Sequence, residues 1–141
     1  VNGFIKKGGV VTGVEAEDVF HKEKFQIHAH HIVSAVGPWT DELRKMINPQ
    51  GEPVLAPTKG VHIVVPKIVE THGALLTAPQ DGRPFFVLPF GADHSLIGTT
   101  DTDFSKSPDN VSVEESDIQY LVNAVQKAFR KSGISRASVI G

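Results

Sequence analysis

At 141 residues, 40% hydrophobic and 21% charged, the chain can bury roughly two-thirds of its unfolded surface in one domain, which excludes disordered and collagen-like classes. Fourteen Lys and Arg against sixteen Asp and Glu leave a formal charge of -2, so no global basic field exists to hold nucleic acid or an anionic membrane, and any anion site is local. With no cysteine, disulfides, thiolate zinc sites, iron–sulfur ligation and thiol catalysis are all excluded.

Along the chain, Gly3-Phe4-Ile5, Val10-Val11 and the run from Gly13 to Val19 alternate with glycine turns and predict a β-meander. Residues 25–33, Phe25 to Val33, alternate and then turn apolar, as a strand entering a buried sheet would, and end at Gly37-Pro38. Thr40 is the expected cap of a short helix with Asp41 and Glu42 in its first turn and an apolar stripe of Leu43, Met46 and Ile47, stopped by Asn48-Pro49 and Gly51. Four short runs follow, Val61 to Val65, Ala74 to Thr77, Pro84 to Phe90 and Ser95 to Gly98, separated by Gly, Pro and Asp, and they predict an antiparallel sheet with a hairpin turn at Asp81-Gly82. Ser112 with Glu115 three residues on reads as a capping box. Ile118, Leu121, Val122, Val125 and Phe129 then keep helical spacing, which predicts a helix over 113–131 ended by Gly133. The longest apolar stretches, such as Phe85 to Phe90, fall far short of the roughly 20 residues that span a bilayer, and nothing at the start has the form of a signal peptide. The opening at Val1, in what reads as mid-strand, gives the expectation of a piece of a longer protein.

Several constellations could carry chemistry. His28 and His30 share a strand face, but no third ligand or carboxylate is in register, so solvated strand histidines are favoured and no metal is expected. Asp101, Asp103 and Ser105 open like a calcium loop, yet Lys106 and Ser112 stand where Gly and Glu are needed. Thr58-Lys59-Gly60-Val61-His62 sets a cation, a small residue and a possible general base at the mouth of a strand: Lys59 for an anionic group and His62 for a hydroxyl proton, or else a surface Lys and a half-buried His. Gly98-Thr99-Thr100-Asp101 suits polar ligand contacts and equally a self-bonded turn. Arg83 at a strand entrance either binds an anion or is merely exposed. Ala35-Val36-Gly37-Pro38-Trp39 ends a buried strand on small residues, where open α/β folds admit cofactors, or is a tight turn with a packing Trp.

Taken in order, Val33-Ser34-Ala35-Val36-Gly37-Pro38-Trp39, Lys59 to Pro66, Arg83 to Phe90, Ile97 to Asp103 and Glu115 to Leu121 resemble one family, the FAD-dependent glycerol-3-phosphate dehydrogenases and the related α-glycerophosphate oxidases. The resemblance runs from about Gly9 onward; Ser34 stands where the family usually has Asn, and Phe90 where it often has Trp. It implies an α+β fold, mainly antiparallel sheet with a long helix, as the substrate-domain portion of a two-domain, D-amino-acid-oxidase-like FAD oxidoreductase. On that plan residues 1–37 are a meander and returning strand of the FAD domain, and residues 38–141 are substrate-domain sheet and helix.

The same resemblance implies that Ala35, Gly37, Pro38 and Trp39 lie beside FAD, that His62 is catalytic, and that Lys59, Arg83, Thr99, Thr100 and Asp101 line the substrate. It implies oxidation of glycerol 3-phosphate to dihydroxyacetone phosphate, with electrons passed to quinone or oxygen, in a cytoplasmic protein peripheral to the membrane. The Gly-rich FAD fingerprint and the phosphate-holding arginines of the family lie outside these residues, so the isolated chain is expected to hold no FAD and to be inactive. Two competing readings are an amine or amino-acid FAD oxidase of the same fold and a non-catalytic sheet-and-helix interaction domain.

Overall fold

The computed structural model describes residues 1–70 and 72–141, which fall into two compact units, Val1–Leu55 and Ala56–Gly141. In the first, β1 (Gly3–Lys7), β2 (Val10–Glu17) and β3 (Lys24–His28) form an antiparallel sheet in chain order. The turn between β1 and β2 uses Gly8 and Gly9 at φ 59° and 81°, a backbone region nearly closed to other residues. The meander is therefore as the glycine pattern predicts. The strand expected over 25–33 is not: it ends at His28, and all five residues of β3 are exposed. Among the described residues only β2 pairs with β3, so past Ala29, whose N–H reaches Thr12 O at 3.1 Å, no ladder holds the chain extended.

A 3-10 turn at Gly37–Trp39 runs directly into α1 (Thr40–Ile47). Thr40 does not cap this helix. Pro38 presets helical φ one turn earlier, so Thr40 is already helical and its hydroxyl donates to Gly37 O at 2.7 Å. Asp41 instead accepts from the amides of Val54 (3.0 Å) and Leu55 (3.1 Å), and these bonds, Val54 foremost, hold its carboxyl below the usual range. Lys6 Nζ donates to Ile47 O at 2.6 Å. These bonds keep residues 38–55 with the first unit. No residue of α1 is buried, so the Leu43, Met46, Ile47 stripe has no core beneath it in this unit.

The second unit holds a four-stranded antiparallel sheet of β5 (His62–Pro66), β8 (His94–Gly98), β7 (Pro84–Phe90) and β6 (Ala74–Thr77), in that spatial order. A two-residue ladder joins β4 (Thr58–Lys59) to β9 (Thr102–Asp103). The hairpin between β6 and β7 turns at Gly82, φ 75°, closed by Ala78 N–H to Arg83 O at 2.7 Å. α2 (Glu115–Ala128) lies across one face of the sheet. Period-two alternation sends Ile63 and Val65 of β5, Phe85 and Val87 of β7, and Ile97 of β8 to that face, where they are at most 1% exposed and meet Leu121, Val122, Ala124 and Val125 of α2. The α+β fold, mainly antiparallel with one long helix, agrees with the expectation.

The helix ends differ from the sequence reading. Ser112 is not the cap: α2 starts at Glu115 after Glu114, whose N–H donates to Asp117 Oδ2 at 2.9 Å. Asp117 wins because it also serves a buried cation, Lys59, whose Nζ holds Ser112 through its carbonyl. At the other end the helix stops at Ala128, with Gly133 at φ 67° in the turn beyond. No helix of the described residues is long and apolar enough to cross a membrane.

Candidate active site

The second face of the four-stranded sheet carries side chains that stay partly or wholly exposed. Across it lie His62, Val64, Leu96, Phe86, Leu88 and Leu75, with Phe86 44% and Leu88 40% exposed. Apolar side chains grouped on one sheet face in this way make a candidate binding or packing surface. Two histidines stand on it, His62 across from Gly98 at one end of β5 and His94 across from Pro66 at the other. His62 is exposed, and among the described residues no hydrogen bond or ion pair engages its ring, leaving a nitrogen able to accept a proton.

The ring is seated by register. His62 pairs with Gly98 across β5 and β8, and Gly98 pairs with Phe86 across β8 and β7. A Cβ on Gly98 would fall 2.2 Å from His62 Cδ2 and 2.7 Å from Nε2, so the imidazole lies over the bare backbone of the neighbouring strand. Just beyond, the relation reverses: a Cβ on Gly60 would meet Thr99 Oγ1 at 2.7 Å. Each strand end thus offers a glycine to the other's side chain, and the crossing of residues 60–62 with 98–100 is tighter than two ordinary strands allow. Val61 N–H donates to Thr100 Oγ1 at 2.9 Å, and the Val61 carbonyl accepts from Thr100 N–H at 3.2 Å.

The residues expected at the substrate divide into two groups. Lys59 and Thr100 are committed inward. Lys59, with a side chain 3% exposed, lies 2.6 Å from Asp117 Oδ2, 3.8 Å from Glu114 Oε1, and donates to Ser112 O at 3.2 Å. An ammonium has three donors, and partners surround this one, which ties β4 to the start of α2. Thr100 is buried and spends its hydroxyl on the Val61 amide. Thr99, half-buried, donates to the Thr100 carbonyl at 2.9 Å.

Arg83 and Asp101 stay accessible. The Arg83 guanidinium donates to the Asp101 carbonyl oxygen and stands 3.5 Å from Asp81 Oδ2, while the Asp101 carboxylate faces solvent. Tyr120 completes this cluster by donating to Asp81 at 3.0 Å; burial first, then that hydrogen bond, pushes its phenol up. A hollow of about 190 Å³ is lined here by Arg83, Thr100, Asp101 and Tyr120, with Thr102, Ser116 and Asp117.

In the first unit Ala35, Val36, Gly37 and Trp39 line a shallow hollow of about 510 Å³. Gly37 has φ +54° and no atom within 4 Å of the place a Cβ would take. The hollow is apolar and uncharged, which suits the edge of a flat aromatic group and offers nothing to a phosphate.

Sequence reasoning missed two partners. Asp117 was absorbed into the helix pattern, although an acid at the start of a helix is a ready partner for a nearby lysine. Gly98 closes a predicted strand run and opens a polar stretch, and the signal that finds its partner is that a glycine inside a strand marks close approach.

A family model described as FAD dependent oxidoreductase matches residues 1–140. Alpha-glycerophosphate oxidase of Enterococcus casseliflavus is 35% identical over 131 residues, covering 90% of this chain and 21% of that protein. Aerobic glycerol-3-phosphate dehydrogenase of Escherichia coli is 36% identical over 131 residues, covering 90% and 25%. The structure of the glycerol-3-phosphate dehydrogenase from Bacillus halodurans complexed with FAD superposes with a TM-score of 0.87 at 30% identity, over 99% of this chain and 28% of that one. The chain therefore spans about a fifth to a quarter of the length of the curated relatives it matches.

Proposed function

From the premise that the chain belongs to the FAD-dependent oxidoreductase family, we propose that it is the substrate-side part of a longer flavoprotein that oxidises glycerol 3-phosphate to dihydroxyacetone phosphate. The observation that carries this reading is His62, a basic group unencumbered on an open apolar sheet face, in a chain similar to glycerol-3-phosphate dehydrogenases and oxidases. In that reaction the carbinol carbon loses a hydride while its hydroxyl loses a proton, and the O–H electrons become the second bond of the carbonyl. His62 takes the proton. An imidazole suits this work because a free ring nitrogen can accept the proton and later pass it to solvent.

The apolar face formed by Phe86, Leu88 and Leu96 excludes water from the reacting carbon. Arg83 and Asp101, accessible in the hollow beside α2 rather than on the His62 face, are the further candidates for polar groups of the substrate, and Thr99 adds a hydroxyl. Lys59 and Thr100 act beneath them, holding the strand ends in place. In the first unit, Ala35, Gly37, Pro38 and Trp39 would lie against FAD, with Ala35, Gly37 and Trp39 offering its edge the apolar hollow they line with Val36. FAD, when bound, supplies the two-electron acceptor for the hydride. Its phosphates need groups that these four residues do not carry. Onward transfer to a quinone at a membrane surface or to oxygen, in a cytoplasmic protein, completes the reading.

The test is anaerobic mixing of the longer protein that carries this chain with glycerol 3-phosphate. Bleaching of bound flavin by glycerol 3-phosphate, and not by amino acids or amines, is expected. Bleaching by an amine or amino acid alone moves the protein to that oxidase class, and a protein without flavin leaves only an interaction domain.

A further inference from the structure

We propose that Gly98 is a positioning residue: its missing side chain seats the imidazole of His62 over β8 and so sets where the proton-accepting nitrogen stands. This rests on the reading of His62 as the proton acceptor.

Three registered pairs cross the open face between β5 and β8: Pro66 with His94, Val64 with Leu96, and His62 with Gly98. In the first two, both partners carry side chains that stand side by side. Only in the third is one partner bare, and there the ring leans across the gap. A Cβ at Gly98 would come within 2.2 Å of Cδ2, 2.5 Å of Cγ and 2.7 Å of Nε2, and real Cβ atoms do not approach so closely. Any larger residue forces His62 into another rotamer, because the blocking atoms include the ring root and not only its tip. Strands disfavour glycine, so its presence here is set against a gain elsewhere.

Seating an aromatic ring on a strand glycine also stabilises a sheet, and that effect belongs to structure alone. The two roles separate by where the cost falls. His62 is exposed and has room to swing away, so an added methyl displaces the nitrogen while leaving the core beneath, Ile63 and Ile97, unchanged. Misplacement of a reacting group by about 1 Å costs roughly 100-fold in rate.

The experiment is a double-mutant cycle in the longer holoprotein, with Gly98→Ala, His62→Ala and the pair, reading flavin content, turnover of glycerol 3-phosphate and the pH profile of kcat/KM. We expect Gly98→Ala to lower turnover about 100-fold with flavin retained and the pH profile of kcat/KM changed to the form that His62→Ala gives. In the His62→Ala background the same change should cost less than about twofold, since no ring remains to displace. Equal losses in both backgrounds, or no loss from Gly98→Ala while His62→Ala is crippled, overturn the positioning role alone. Full activity in His62→Ala overturns the reading of His62 and the proposal with it. Should Gly98→Ala not accumulate as holoprotein, selectively labelled wild type decides: a nuclear Overhauser contact between the His62 ring and the Gly98 α-protons supports the proposal, and its absence overturns it.

Discussion

Two faces of one sheet carry opposite duties in this chain. On the covered face, Ile63, Val65, Phe85, Val87 and Ile97 are sealed against α2; on the open face, one residue away along each strand, His62, Phe86 and Leu88 stay exposed. Because successive side chains point to opposite sides of a strand, a single short stretch such as His62-Ile63 serves binding and stability at once. The first unit lacks this division. Its only buried residue is Gly13, and Phe25, Ile27 and Val33 lie exposed, so it has sheet order without a core of its own.

Changes on the covered side should cost most. Lys59→Met leaves Asp117 buried without its partner, and about 3–5 kcal/mol of stability should be lost in denaturant unfolding of the chain. A loss under about 1 kcal/mol would mean that the pair is open to water. Phe85→Ala should likewise cost about 3–5 kcal/mol, because a fully buried ring leaves a cavity. Its neighbour Phe86→Ala should cost under about 1 kcal/mol, since that ring is 44% exposed. Comparable losses at both positions would erase the distinction between the faces.

Smaller effects sharpen the contrast with the first unit. Asp41 has its carboxyl pKa lowered by the Val54 amide foremost. The stabilisation is therefore present above the unfolded value and disappears as pH falls through the lower folded value. Amide exchange at Val54 and Leu55, corrected for intrinsic rates, should accelerate below about pH 4 while the amides of β7 stay protected. Loss of protection in both together would make the two units one cooperative body. Ser112→Ala should change stability by less than about 0.5 kcal/mol, because only its carbonyl is used. A loss of about 1 kcal/mol would restore it as the helix cap.

Much of the architecture is legible in the residues. β6 and β7 begin and end where their flanking turns put them, since Asp81-Gly82 permits few alternatives, and the apolar spacing from Ile118 to Val125 marks α2. What escaped depends on tertiary partners. Ser112 and Glu115 satisfy the capping pattern, but Asp117 attracts a lysine 58 residues away in sequence, and that long-range pair decides the helix start. Lys59 beside a glycine looks like an anion site until Asp117 is seen to claim it. Residues 29–33 carry strand propensity and no strand beside them. His62 was visible as a basic group next to a glycine, whereas its seat on Gly98 emerges only once register aligns the two strands.

The division between faces is tested most directly at adjacent positions, with His62→Ala and Ile63→Ala each measured for stability and, in the longer flavoprotein, for the rate of flavin bleaching by glycerol 3-phosphate. His62→Ala should slow bleaching by roughly 100- to 10,000-fold with stability little changed, while Ile63→Ala should cost about 2–5 kcal/mol of stability and leave the folded protein's bleaching rate near normal. A His62→Ala protein that bleaches at the normal rate, or one that loses as much stability as Ile63→Ala, would contradict that division.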